Sequence, residues 1–201
     1  MNPSAAHPPP LSRRPTRAEL ATYQGATVDD LLVDPLRLLF VGINPGLWTA
    51  AVNAHFARPG NRFWPALHEA GITSRLIDAA TGFDESDRAE LQRAGVGITN
   101  LVPVATARAD ELTRAQLHDG GERLRTLVRT RRPPVVAVLG ITAFRQAFGR
   151  KVALGHQDEV FEGADLWVLG NPSGLNAHET VASLAAAYRA AAEAAGVPLT
   201  A

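Results

Sequence analysis

Cysteine is absent from this 201-residue chain, and its absence excludes three kinds of site. Without a thiol the protein forms no disulfide, carries no thiolate-bound iron–sulfur cluster and holds no thiolate zinc centre. Six histidines remain as candidate metal ligands, but no pair has the His-Glu-x-x-His spacing of a helical zinc site. We therefore predict a protein with no metal centre and no bound cofactor.

Long apolar runs and an excess of charge of one sign are also missing. No stretch approaches the roughly 18 apolar residues of a membrane-spanning helix, and the N-terminus lacks the apolar core of a signal peptide. Twenty basic residues balance twenty acidic ones, so net charge does not support a nucleic-acid partner and any basic surface must be local. We expect a soluble, cytoplasmic protein that does not contact a membrane.

The composition is that of an ordinary globular protein, except at its N-terminal end. Hydrophobic residues make up 46% of the chain and charged residues 20%, which suits one domain with a sizeable core. Residues 1–27 differ because they hold five prolines and few apolar side chains, so they bury too little surface to offset the entropy cost of ordering. We expect a flexible arm over residues 1–27 and a single domain over residues 28–201.

Four apolar runs predict buried strands, at residues 36–41, 96–102, 135–139 and 166–169. Helical patterns lie between and after these runs. The predicted helices run from a cap at Asn61 to residue 71, over residues 85–93, from a capping box at Thr113 to residue 132, from a cap at Thr142 to residue 148, and onward from a capping box at residues 176–179. This alternation favours an α/β fold, a three-layer α/β/α sandwich with a central, mainly parallel sheet.

Two loops that contain glycine and proline follow predicted strands. Residues 42–46 read Gly-Ile-Asn-Pro-Gly and residues 170–174 read Gly-Asn-Pro-Ser-Gly. Parallel strands place both loops at the same edge of the sheet, where ligands bind in open α/β proteins. We expect both loops to face one cleft, with Asn44 at its mouth. Either loop alone is also an ordinary turn sequence, so the pair carries the signal.

Residues 58–64, Arg-Pro-Gly-Asn-Arg-Phe-Trp, complete an ordered set of motifs with these two loops. Over about residues 34–188 the chain resembles the mismatch-specific uracil/thymine DNA glycosylases, the Mug/TDG branch of the uracil-DNA glycosylase superfamily. Its most specific pieces are residues 42–47, 59–64, 97–102 and 171–175. The resemblance implies a uracil-DNA glycosylase-like fold and an enzyme that hydrolyses the N-glycosidic bond of a base flipped out of DNA.

Under this resemblance Asn44 matches the catalytic asparagine, which positions the hydrolytic water. An amide does not accept a proton as a carboxylate does, so much of the rate would come from donors to the leaving base, and we expect slow turnover. The backbone N–H groups of Ile43 and Phe56 would donate to uracil. The Phe56 ring would stack on the flipped base, with a core phenylalanine as the alternative.

Three further positions would shape the base pocket. His55 matches the pocket histidine of thymine-directed members, and a solvent-facing loop histidine is the alternative. Thr49 would lie near the C5 edge of the base, where its bulk bears on whether a 5-methyl group fits. Asn100 would read the Watson–Crick edge of uracil through its amide donor and acceptor, unless it is simply a turn residue at a strand end.

Leu175 matches the wedge that enters the duplex in place of the flipped nucleotide. The family usually carries an arginine two residues after the wedge, whereas this chain has Ala177, which would weaken its grip on the opposite strand. Two arginines beside the pocket would clamp phosphates, unless they are solvated loop residues. The predicted DNA-binding residues are Arg58, Arg62, Asn171, Pro172, Ser173, Gly174, Leu175 and Asn176.

We therefore predict a monofunctional, nucleoid-associated DNA glycosylase that acts as a monomer on double-stranded DNA with a G:U or related mismatch, in base excision repair. Uracil is the expected base, with thymine and ethenocytosine as further candidates. Two alternatives stay open. One is a non-catalytic module that binds damaged DNA. The other is a nucleotide hydrolase, which is disfavoured because the chain has neither a P-loop lysine nor a G-x-G-x-x-G run.

Overall fold

A five-stranded sheet in the order β2-β1-β3-β5-β4 forms the centre of the computed structural model, which describes residues 8–200. The strands are β1 (Leu38–Gly42), β2 (Val96–Asn100), β3 (Val135–Leu139), β4 (Gly155–His156) and β5 (Asp165–Leu169). The helices are α1 (Arg17–Ala21), α2 (Leu47–Val52), α3 (Phe63–Glu69), α4 (Glu85–Ala94), α5 (Arg114–Arg131), α6 (Ile141–Phe148) and α7 (Val181–Ala194), and a short 3₁₀ helix (Ala109–Glu111) precedes α5.

Both faces of the sheet are covered, which explains why its strands read as continuous apolar runs. Strands β1, β2, β3 and β5 are parallel, and β4 pairs antiparallel with β5 at one edge. Leu38 and Phe40 pack into the core that α3 and α7 share, whereas Leu39 and Val41 pack on the opposite face with α5 and α6. Side chains of a strand alternate between the faces of a sheet. The predicted three-layer α/β/α sandwich is therefore confirmed.

Several helix ends follow the predicted capping, and others do not. Thr113 caps α5 through a capping box with Gln116, as predicted. Helix α6 begins one residue before the predicted cap Thr142, because the chain turns at Gly140. The φ angle of Gly140 is 136°, a value that residues with a side chain rarely adopt. Helix α7 begins after Thr180 rather than at residues 176–179, since the side chain of Asn176 bonds within the preceding loop.

Within residues 1–27, for which the sequence predicted a flexible arm, the described part from residue 8 onward packs against the domain. Tyr23 is only 2% exposed, joins a cluster with Ala51 and Ala105, and donates its hydroxyl to the carbonyl of Pro9. The backbone of Gly25 and Ala26 also pairs with that of Ala105. Residues 1–7 lie outside the described residues. Between residues 8 and 200, no helix has both the length and the apolar character needed to cross a bilayer.

Candidate active site

A cavity of about 400 Å³ lies at the carboxyl ends of β1, β2, β3 and β5, between the two loops that contain proline. This volume lies within the range of roughly 300–1,000 Å³ that is typical of ligand pockets. Residues from both loops line it, as the parallel arrangement of the strands requires. The site residues predicted from the sequence that line it are Ile43, Asn44, Thr49, His55, Phe56, Arg58, Asn100, Asn171, Pro172, Ser173 and Leu175.

The side chain of Asn44 is partly buried and held in one orientation. Its Nδ2 atom donates to the carbonyls of Pro45 and Val104, at 3.1 Å each, and to Oγ1 of Thr106 at 2.7 Å. Because all three neighbouring atoms are hydrogen-bond acceptors, the amide nitrogen rather than the amide oxygen must face them. The Oδ1 atom has no partner among residues 8–200, so it remains available to a water molecule in the cavity.

Phe56 presents an aromatic face to the same cavity. Its ring stacks on Phe63 with the centroids 4.1 Å apart and the planes at 22°. The backbone of Phe56 lies in the left-handed region at φ 54°, which is costly for a residue with a side chain and is found at functional sites. Within residues 8–200 the N–H groups of Phe56 and Ile43 have no acceptor, so both are free to bind a ligand.

A hydrogen-bonded relay runs from the carbonyl of Asp29 through His55 to Asn100, and both His55 and Asn100 line the cavity. His55 is 3% exposed, its Nε2 lies 3.0 Å from the carbonyl of Asp29, and its Nδ1 lies 3.3 Å from Nδ2 of Asn100. Burial lowers the pKa of His55 below its usual value, while the Asp29 carbonyl and the Asp30 charge oppose the shift. Burial therefore disfavours the charged form of His55, and this residue is not the solvent-facing loop histidine.

A cluster of charged and polar side chains contacts the end of β2 at Asn100. Arg123 on α5 donates to the backbone carbonyl of Asn100 and to Oγ1 of Thr99, and it pairs with Asp30 at 3.0 Å. Thr99 in turn donates to Asp30. These contacts fix the end of β2, so the amide of Asn100 enters the cavity from a rigid position.

Leu175 stands on the rim of the cavity and is 80% exposed, the most exposed of the large hydrophobic side chains among residues 8–200. Its loop is held by short-range bonds, because Asn171 accepts from the N–H of Ser173 and Asn176 donates to the carbonyl of Asn171. Burial of this apolar side chain in a partner would contribute favourably to the free energy of binding.

A comparison with the sequence patterns of known protein families matches residues 29–193 to the uracil DNA glycosylase superfamily. The chain belongs to the uracil DNA glycosylase superfamily. Its sheet and helices agree with the fold of that superfamily, and the matched residues include the whole cavity wall. Members of the superfamily are typically hydrolases of N-glycosidic bonds, so membership indicates DNA glycosylase activity and a role in DNA repair.

Arg62, which the sequence predicted to clamp a phosphate, is bonded within the protein. Its guanidinium donates to the carbonyls of Ser173 at 2.8 Å and Asn176 at 3.0 Å, and its backbone N–H donates to the carbonyl of Pro172. These bonds engage the group within the protein. In this superfamily member Arg62 therefore braces the loop that carries Leu175, whereas Arg58 lines the cavity with a guanidinium that has no partner among residues 8–200.

Sequence reasoning missed Thr106 and the rim residues beside it. Thr106 is 8% exposed, contacts Asn44 and donates its hydroxyl to the carbonyl of Arg108. Asp110 lines the cavity and pairs with Arg108. The only signal available was position, since these residues follow β2 at the edge of the sheet where Asn44 lies.

No metal cluster accompanies the cavity in the part of the chain that the structure describes. Among residues 8–200, no group of three or more histidine or acidic side chains is placed to hold a metal ion. Asp110 is the one carboxylate among the described residues that line the cavity. The site therefore offers amides, backbone N–H groups and an aromatic ring as its main chemical groups.

Proposed function

We propose that this superfamily member is a monofunctional, mismatch-specific glycosylase of the Mug/TDG kind, which excises uracil from G:U pairs in double-stranded DNA. One observation carries the proposal. The fixed carboxamide of Asn44, the open face of Phe56 and the amide of Asn100 line a single cavity with an exposed leucine on its rim. A flipped pyrimidine needs these parts together: a stacking surface, an edge reader, a water site and a side chain to fill the gap.

In the proposed reaction the bond between C1′ of the sugar and N1 of uracil breaks before much bonding to water forms. The base leaves as an anion, and the N–H groups of Ile43 and Phe56, which have no acceptor among residues 8–200, would donate to it. Oδ1 of Asn44 accepts a hydrogen bond from the water that adds to C1′. The proton released by that water passes to solvent or to the departing base, because the amide takes none.

Leu175 supplies the mechanical part of the proposal. Base flipping leaves a gap in the duplex, and an apolar wedge that fills it offsets the cost of unstacking. The leucine is exposed and its loop is braced, so it can enter the gap without first ordering. Arg58 is placed to meet a phosphate beside the cavity.

A gel assay on a labelled duplex with one G:U pair tests the proposal, with alkali used to cleave abasic sites. We expect strand cleavage with the wild-type protein and none above background with Asn44→Ala. Specific binding of the duplex without product would favour a damage-binding module instead. Hydrolysis of free nucleotides without action on the duplex would favour a nucleotide hydrolase.

A further inference from the structure

The backbone carbonyl of Asp29 determines where the protons lie in the relay from Asp29 through His55 to Asn100. A backbone carbonyl only accepts, so Nε2 of His55 must carry the hydrogen in the 3.0 Å contact with Asp29. A neutral imidazole has a single N–H, which leaves Nδ1 as an acceptor. The 3.3 Å contact between Nδ1 and the Asn100 amide must then be a bond donated by Nδ2.

This tautomer determines which end of the Asn100 amide faces the cavity. With Nδ2 engaged by His55, Oδ1 points elsewhere and has no partner among residues 8–200. A Cβ atom built on Gly42 would lie 2.4 Å from Oδ1 of Asn100 and 3.1 Å from Cζ of Phe56. The amide oxygen and the tip of the stacking ring therefore border the same point at the base of the cavity.

A base stacked on Phe56 would thus meet an acceptor, Oδ1, next to the second hydrogen of Nδ2, a donor. Uracil and thymine carry an N–H at position 3 and a carbonyl at position 4, which complement this pair. Cytosine carries a lone pair at position 3 and an amino group at position 4, so both contacts would be mismatched. Ethenocytosine also lacks an N–H at position 3.

We propose that His55 is a positioning residue that makes the pocket specific for pyrimidines with carbonyls at positions 2 and 4. It does so by holding the Asn100 amide with its oxygen toward the base. This inference rests on the proposed function, and it narrows the substrates to uracil and thymine rather than cytosine derivatives. Arg123 and Thr99 fix the backbone of Asn100, so the amide torsion is the freedom that His55 removes.

Two substitutions separate this role from simple packing. His55→Phe fills a similar space but neither donates to Asp29 nor accepts from Asn100, so the amide can rotate. His55→Gln restores one donor and one acceptor on its own amide. The readout is the ratio of affinities for two duplexes that carry 2′-fluoro-2′-deoxyuridine or 2′-fluoro-2′-deoxycytidine opposite thymine, where neither base forms a Watson–Crick pair. The 2′-fluorine disfavours the oxocarbenium-like state, so the base stays attached during the measurement.

We expect the wild-type protein and His55→Gln to prefer the uridine duplex by roughly tenfold or more, and His55→Phe to lower that preference to about threefold or less. An unchanged preference in folded His55→Phe would overturn the inference. If His55→Phe does not fold, the ¹⁵N shifts of the His55 ring in the wild-type protein decide the matter, since a proton on Nδ1 would also overturn it. If the wild-type protein excises uracil but does not prefer the uridine duplex, the inference about His55 is refuted and the proposed function stands. Failure of wild-type excision from G:U would refute the proposed function.

Discussion

Thr106 acts with the carbonyls of Pro45 and Val104 to set the orientation of the Asn44 side chain. Its hydroxyl donates to the carbonyl of Arg108 at 2.7 Å, so the lone pairs of Oγ1 are left to accept from Nδ2 of Asn44. The opposite orientation of the amide would place two oxygens against each other. A water-binding oxygen on Asn44 thus depends on a hydroxyl from a separate segment of the chain.

We expect Thr106→Val, which keeps the shape but removes the hydroxyl, to lower the single-turnover rate of uracil excision roughly tenfold. Binding of the duplex should change little, because Thr106 acts through Asn44 rather than on the base. Thr106→Ser restores the hydroxyl and should recover most of the rate. Equal losses in rate and affinity, or no recovery in the serine variant, would contradict this role.

At the residue scale, sequence reasoning found the groups that face the cavity but not the contacts that orient them. Asn44 and Asn100 follow or end predicted strands, Phe56 was matched through the family resemblance, and the structure brings the three together. The bond between Asn44 and Thr106 joins residues 62 positions apart, and that between Asn100 and His55 joins residues 45 apart. Such pairs depend on the folded arrangement of loops, for which no local pattern exists.

At the scale of elements, two loops act as one unit. A Cβ atom on Gly174 would lie 2.5 Å from the carbonyl oxygen of Gly60, so the loop over residues 58–62 and the loop over residues 170–176 are in backbone contact. Arg62 adds three bonds from its guanidinium to carbonyls of Ser173, Gly174 and Asn176. A charged group that donates to several carbonyls stabilises a loop more than a single neutral bond does.

We expect Arg62→Met, which keeps much of the apolar stem, to lower excision from duplex DNA roughly tenfold while excision from single strands changes by less than about twofold. A mispositioned wedge matters only where a gap must be filled, so Leu175→Ala should show the same pattern. The measurement is single-turnover excision of uracil on both substrates.

Arg58→Met is the matched control for this prediction. Arg58 lines the cavity and its guanidinium has no partner among residues 8–200, so it should act on phosphates and its loss should flatten the salt dependence of DNA binding. Equal losses on duplex and single-stranded DNA for Arg62→Met would contradict the bracing role. A flattened salt dependence for that variant would do so as well.

The periodic elements were predictable where local chemistry decided them. Helix α5 has a complete capping box and an apolar stripe, and β3 is a continuous apolar run, so both match the structure closely. Helix α2, with six residues directly after the Asn44 loop, and the two-residue strand β4 are too short for such patterns. The start of α6 depends on the backbone at Gly140, which the sequence allowed but did not require.

At the scale of the whole molecule, the N-terminal segment, residues 8–27, packs against α2 and Ala105, close to the cavity loops. Tyr23 packs on Ala51 of α2 and on Ala105, and α2 begins directly after the Asn44 loop. A proline-rich composition predicted flexibility because apolar content is low. One buried aromatic ring, a capped helix at α1 and a few backbone bonds nevertheless order residues 8–27.

Because the net charge of the chain is balanced, binding to DNA would have to depend on local groups rather than on overall charge. Among the described residues around the cavity, these groups are Arg58 without a partner, the exposed Leu175 and several amides, which under the proposed function would read shape and base edges more than phosphate charge. In the proposed reaction the carboxamide of Asn44 acts on the water during bond cleavage and contributes little to holding DNA.

The most direct test compares rate with affinity for Asn44→Ala. The rate is single-turnover uracil excision from a G:U duplex, and the affinity is that for the same duplex with 2′-fluoro-2′-deoxyuridine. The account predicts a rate lower by roughly 10²-fold or more with an affinity within about threefold of the wild-type value. A rate within about tenfold of wild type, or an affinity that falls in step with the rate, would contradict it.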